Sequence, residues 1–216
     1  IVDMFPIIII LVILVIYIFI RIRKSKNPLE KRNVLTREDC ENLIRTANKY
    51  KFVNDHLDTI DGQPEYQIDV FRDNVVSNKD LYDMCMDLYN TKLPRCPKNL
   101  DLDYIFIRRY TPGERTGVPI HFDSTKITYS ILLSDTKDFE GGKIYAFDEK
   151  TSKKFDREGL DFMNNKQRGQ YMDGRELPVI EDYEQGDALI FEGQKLFHGI
   201  TPVTDGERYI VTYFFE

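Results

Sequence analysis

Apolar and polar positions divide the chain into three textures. From Met4 to Ile20 there are 17 residues without a charge, dominated by "PIIIILVILVIYIFI". No polar face interrupts the run, and as a helix at about 1.5 Å per residue it reaches roughly 25 Å, enough for a short membrane span. The second texture has helical periodicity. In "TREDCENLIRTANKY" the apolar positions Leu43, Ile44, Ala47 and Tyr50 follow Thr36, an expected N-cap with Asp39 three residues on. A second helix is expected at 78–90, where Ser77 would cap and Leu81, Met84, Cys85, Leu88 and Tyr89 form the stripe.

From residue 103 onward the pattern changes to short β-rich runs separated by turn residues. These are "DYIFIRRY", "KITYSILL", "GKIYAF", "DALIF", "LFHGITPV" and "ERYIVTYFF", and their spacing predicts a mostly β sandwich or jelly roll preceded by helices. Residues 148–176 are strongly polar and interrupt the series. They are expected to be either a solvated loop or a lid or substrate-binding insertion.

The charges flanking the apolar run orient it. Asp3 precedes it, whereas Arg21, Arg23, Lys24, Lys26, Lys31 and Arg32 follow, and no small-residue cleavage site is present. The expected organisation is a transmembrane anchor at 4–20, a basic juxtamembrane linker at 21–34 and a domain at 35–216, with its catalytic core at 103–216. By the positive-inside tendency this single-pass membrane protein would hold its domain in the cytosol, with the endoplasmic reticulum lumen as the alternative. The six basic and two acidic residues of 1–32 contribute +4 to a formal charge of −6, so the remainder carries −10. Such an acidic domain is not expected to bind nucleic acid. Cys40, Cys85 and Cys96 form no CxxC pair and suggest neither a zinc site nor a complete disulfide framework.

Candidate chemistry starts at "HFDSTKITYSILL", residues 121–133. Residues i and i+2 of a strand share a face, so His121 and Asp123 can converge on one point. The distal histidine is His198 in "LFHGITPVTDGERYIVTYFF". If Thr204-Asp205-Gly206 forms a three-residue hairpin loop, His198 lies opposite Thr212 and Pro202 opposite Arg208. His198 and Arg208 are then on one face, four rungs or roughly 13 Å apart. Two histidines and a carboxylate with open positions match the facial triad of non-haem Fe(II) oxygenases, and a guanidinium suits the far carboxylate of a 2-oxo diacid.

These pieces carry a family resemblance. "RRYTPGE", "HFD", "FEGGKIYAF", "GDALIFEG" and "HGITPVTDGERYIV" cover residues 103–215 and resemble the Fe(II)- and 2-oxoglutarate-dependent dioxygenases of the prolyl 4-hydroxylase and lysyl hydroxylase type. The helix "LTREDCENLI" resembles the start of that domain. The resemblance implies a double-stranded β-helix, the jelly roll, in which His121, Asp123 and His198 bind iron and Arg208 binds the C5 carboxylate of 2-oxoglutarate. Tyr110, Thr128 and Thr212 are the further expected co-substrate contacts, with Thr212 also a neighbour of His198. Dioxygen would be the second co-substrate, and ascorbate would support activity. The implied reaction is hydroxylation of a peptidyl residue in a protein or peptide substrate, proline first and lysine as the alternative, releasing succinate and CO2. Many collagen-type prolyl 4-hydroxylases have lysine where this chain has Arg208, which keeps the substrate residue open. A non-catalytic, membrane-tethered jelly-roll binding module is the alternative from another class. Gly141 and Gly142 in "FEGGK" are expected either to permit close backbone approach or to shape a turn.

Overall fold

The computed structural model describes residues 29–53 and 56–216. The first helix, α1 (Arg37–Ala47), begins where its capping chemistry predicts. The Thr36 hydroxyl accepts from the Asp39 amide, and the Asp39 carboxylate accepts from the Thr36 amide, which closes a capping box. The second, α2 (Lys79–Thr91), starts one residue later than expected, because Asn78 and not Ser77 is the N-cap. The Asn78 side chain makes no cap hydrogen bond and donates instead to the Asp69 carbonyl at 2.9 Å. Cys40, Leu43 and Ala47 of α1, with Leu81, Cys85 and Leu88 of α2, are the buried stripes of these two helices.

The described residues contain twelve strands. β1 (Leu29–Asn33), β2 (Gln67–Arg72), β3 (Val75–Val76), β4 (Leu102–Tyr110), β6 (Ile127–Leu132), β9 (Asp187–Phe191) and β12 (Arg208–Phe215) form a seven-stranded antiparallel sheet in the order β1-β9-β6-β12-β4-β2-β3. β5 (Val118–His121), β8 (Ile144–Ala146) and β10 (His198–Ile200) form a smaller sheet, while β7 (Phe139–Gly141) pairs with β11 (Val203–Gly206). The architecture is mostly β with four helices among the described residues, consistent with the expected jelly roll.

The period of two in β12 builds two cores at once. Tyr209, Val211, Tyr213 and Phe215 face α1 and α2, where the Tyr213 hydroxyl donates to the Cys85 carbonyl at 3.0 Å. Ile210 and Phe214 pack between the two sheets with Phe106, Tyr110, Leu189 and Phe191. All three cysteines are free and buried.

Four expectations change. Residues 29–33, taken as linker, form β1 and pair along β9 from Leu29↔Phe191 to Asn33↔Asp187, an edge that Lys31 ties by an ion pair to Asp182 at 2.7 Å. The 148–176 segment is not a plain loop but a folded insertion, two of whose residues, Asp161 and Arg168, line the cavity described below. It contains α3 (Glu149–Arg157), a 3₁₀ turn and α4 (Asn165–Met172). Phe155 and Leu160 are buried against Ile120, Phe147 and Phe197 on the outer face of the smaller sheet. The hairpin joining His198 to Arg208 does not form. After β10 the chain enters β11, which pairs with β7, before β12 joins the large sheet between β4 and β6. Thr212 therefore lies opposite Phe106 and Ser130, not opposite His198. The physical reason is that a strand leaving one sheet can satisfy its hydrogen bonds on the edge of another, a choice that turn length alone does not determine. Finally, the single-pass membrane placement is withdrawn, and with it the choice of cytosolic or luminal side. Among the described residues no helix is long and apolar enough to cross a membrane, and the 4–20 anchor lies outside them.

Candidate active site

The triad is assembled by strand register. His121, the last residue of β5, is directly paired with His198, the first of β10, and Asp123 follows two residues after His121. Each imidazole donates from Nδ1 to the carbonyl two residues earlier on its own chain: His121 to Pro119 at 2.8 Å, His198 to Leu196 at 3.0 Å. Those carbonyls select the Nδ1–H tautomer and leave each Nε2 lone pair free as a ligand. Both Nε2 atoms face the same oxygen, Asp123 Oδ1, at 3.4 Å and 3.6 Å. The three ligand atoms lie within 4.8 Å of one another, a group that could hold a metal ion.

Electrostatics keeps Asp123 and His198 in their ligating forms. Burial alone would raise the Asp123 carboxyl, but His198, His121 and the Thr128 hydroxyl outweigh it and hold it at about 2. Burial lowers His198 to about 4 against the opposing pull of Asp123, so at neutral pH its ring is uncharged. Phe191 meets the His198 ring edge-on at 4.7 Å, while Phe122 and Phe197 stack at 3.7 Å.

A cavity of about 550 Å³ opens onto the triad and is lined by both sheets. Register orders its walls by depth. Arg208 pairs with Tyr110 at one end of β12, Thr212 pairs with Phe106 and Ser130, and Phe214 pairs with Tyr104 and Thr128 at the other. Positions 208, 210, 212 and 214 share one face, so Arg208 is on the cavity side of its strand. It is 1% exposed, yet its three guanidinium nitrogens find no hydrogen-bond acceptor among the described residues. The rings of Tyr110 at 5.5 Å and Phe139 at 6.0 Å flank the guanidinium. Burial disfavours its charge, with Tyr183 and Tyr110 opposing. A buried guanidinium without an acceptor fits a carboxylate ligand. Gly142, at φ +58°, makes room for it: a Cβ there would lie 2.8 Å from Arg208 Cδ.

Of the residues singled out in the sequence, His121, Asp123 and His198 meet. Tyr110 and Thr212 line the cavity, Tyr110 beside Arg208. Thr128 also lines it, but its hydroxyl donates to Asp123 Oδ2 at 2.5 Å. Sequence reading missed a buried ionic wall. Arg108 donates to Asp58 at 3.1 Å and to Gln67, while Arg115 reaches Asp58 at 3.2 Å and Asp61 at 3.0 Å. A signal existed for Arg108, since it shares strand parity with Tyr110. None existed for Asp58, which comes from an irregular segment. Asp161 and Arg168 of the helical insertion also line the cavity.

Comparison of the sequence with family models and with curated proteins gives no match. The structure does have solved neighbours. The viral collagen prolyl hydroxylase vCPH of Paramecium bursaria Chlorella virus-1, in its 2-oxoglutarate complex, is 16% identical with a TM-score of 0.50, covering 88% of this chain and 97% of that one. A Trichoplax adhaerens prolyl hydroxylase in complex with a hypoxia-inducible factor oxygen degradation domain peptide fragment is 11% identical with a TM-score of 0.51, covering 88% and 84%. HygX of Streptomyces hygroscopicus, with nickel and 2-oxoglutarate bound, is 15% identical with a TM-score of 0.52, covering 93% and 85%. At such identities the likeness establishes the fold, that of the 2-oxoglutarate- and Fe(II)-dependent oxygenases.

Proposed function

We propose that this protein is an Fe(II)- and 2-oxoglutarate-dependent dioxygenase that hydroxylates a peptidyl residue, proline in the first instance. The observation that carries the reading is a two-histidine, one-carboxylate group on a cavity whose wall residue Tyr110 packs against a buried guanidinium lacking an acceptor. The donor set of two imidazoles and one carboxylate suits a non-haem iron with open positions.

In this reading His121 Nε2, His198 Nε2 and Asp123 hold the iron. Arg208 would grip the C5 carboxylate of 2-oxoglutarate through parallel N–H donors. Tyr110, packed beside Arg208, offers its hydroxyl to the same carboxylate, and Thr212 lines the path between the two ends. When bound, iron with 2-oxoglutarate and dioxygen supplies the oxidising power: the 2-oxo acid becomes succinate and CO2, and one oxygen atom enters a substrate C–H bond. The protein's own work is orientation and exclusion of water, for which the aromatic walls at Phe106 and Phe191 are suited. A peptide substrate is supported by the peptide held by the Trichoplax neighbour, and proline by the prolyl hydroxylases among the neighbours.

The test is succinate formation by the full chain with Fe(II), 2-oxoglutarate and ascorbate, with proline-containing and lysine-containing peptide libraries and a His198→Ala control. Proline-peptide-stimulated succinate that disappears in the control is the expected result. Stimulation by lysine peptides alone would move the substrate assignment. Failure to bind either the metal or 2-oxoglutarate would overturn the reading and favour a binding module.

A further inference from the structure

The hydroxyl of Thr128 is committed to the metal-site carboxylate. Thr128 is 2% exposed, and its Oγ1 lies 2.5 Å from Asp123 Oδ2. A threonine hydroxyl has one proton to donate. With that proton directed at Oδ2, the donor capacity of Thr128 is taken up by Asp123.

The two carboxylate oxygens thereby acquire different partners. Oδ1 faces both imidazole Nε2 atoms, at 3.4 Å and 3.6 Å, whereas Oδ2 is turned to Thr128. The donor is itself immobile. Thr128 sits in the interior of the large sheet, paired with Phe214 of β12 on one side and Phe191 of β9 on the other. The carboxylate's backbone is pinned too. The Asp123 amide donates to the Gly193 carbonyl at 3.3 Å, and the Gly193 amide donates to Lys126 at 3.2 Å. Gly193 comes so close that a Cβ there would lie 2.8 Å from Asp123 Cβ and 3.1 Å from Thr128 Oγ1. Glycine at 193 is what lets this backbone come so close to the stem of Asp123.

We infer that Thr128 is a positioning residue that holds Asp123 as a single-oxygen metal ligand, so that one face of the metal stays open to co-substrates. A carboxylate free to rotate could bind through both oxygens and occupy one of those positions. The inference rests on the metal-site reading proposed above. Partners of ligating groups are typically worth 10–100-fold in metal affinity.

The experiment is Co(II) titration of the full chain, followed by calorimetry and by visible absorption, for wild type, Thr128→Val, Thr128→Ser and Thr128→Ala, with thermal melts of each metal-free protein. The expected result is Co(II) affinity weakened at least about 10-fold in Thr128→Val and Thr128→Ala, together with a changed Co(II) spectrum. Thr128→Ser should restore both, because it restores the donor and not the methyl group. Melts within a few degrees of wild type would separate this from a packing defect. If valine disrupts the sheet, the serine–alanine pair makes the same comparison. Wild-type affinity and spectrum in Thr128→Val or Thr128→Ala would overturn the inference while leaving the triad intact. Equal loss in Thr128→Ser would also overturn it, since shape and not the hydroxyl would then matter. A wild-type chain that binds no Co(II) would overturn the metal-site reading itself.

Discussion

Replacing Arg208 with methionine should make the ligand-free protein more stable while removing its response to 2-oxoglutarate. Three guanidinium nitrogens are buried without an acceptor. Each unsatisfied buried donor costs about 1–3 kcal/mol, and more when charged, so together they cost at least about 3 kcal/mol. The side chain recovers part of this over the rings of Tyr110 at 5.5 Å and Phe139 at 6.0 Å, which at such long range are worth about 0.5–1 kcal/mol each and so about 2 kcal/mol together at most. Methionine keeps the length of the stem and its apolar packing. The net gain for Arg208→Met is therefore at least about 1 kcal/mol, or roughly 2–4 °C in Tm for a chain of this size. With metal present and 2-oxoglutarate at about 100 times its Kd, wild type should gain about 2.7 kcal/mol by linkage. The variant should gain nothing. Differential scanning fluorimetry of both proteins, with and without 2-oxoglutarate, measures all four quantities. A lowered Tm in the ligand-free variant would refute the energetic argument, and a preserved 2-oxoglutarate shift would refute the role of Arg208.

Three further outcomes follow from the geometry. Burial would raise the Asp58 carboxyl, but Arg108, the Ile60 amide and Arg115 together hold it below its ordinary value. Its contribution is thus complete above the unfolded-state carboxylate value and lost as pH falls through the lower folded value. Asp58→Asn should cost up to about 3–5 kcal/mol at pH 7, with the Tm gap to wild type closing below about pH 4. Gly142→Ala places a Cβ 2.7 Å from Val203 Cγ2 and 2.8 Å from Arg208 Cδ at φ +58°. It should destabilise by about 1–2 kcal/mol and weaken 2-oxoglutarate binding in calorimetry, whereas Gly169→Ala, with open space at its Cβ, should leave that affinity unchanged. Phe155, 2% exposed and edge-on to Phe147, Tyr171 and Phe197, anchors the helical insertion. Phe155→Ala should cost about 3–5 kcal/mol and open residues 149–172 to limited proteolysis; a protease-resistant insertion would contradict its docking through this ring.

Local rules determined much of this molecule before any tertiary contact was considered. The Thr36–Asp39 capping box set the start of α1, and the spacing of Leu81, Cys85 and Leu88 marked α2. Alternation in "DYIFIRRY" and "ERYIVTYFF" gave β4 and β12, because the period of two follows from backbone geometry alone. The HxD spacing put His121 and Asp123 together for a related reason: two residues of separation is a short-range fact. Other features were decided by partners far away in sequence. Whether the chain after His198 turns back on itself or crosses to another sheet depended on which edge was open, so the expected hairpin failed and His198 came to face His121. The short strands β3, β5 and β7 and the edge strand β1 carry too little pattern to be seen without the sheets that receive them. The polar 148–176 segment looked unstructured because only a few of its apolar residues, Phe155 and Leu160 among them, are buried, and their value appears only against Ile120 and Phe197. Arg108 and Thr128 illustrate the same limit at the cavity: sequence gives a strand residue its parity, but only the fold supplies the carboxylate that its donor meets.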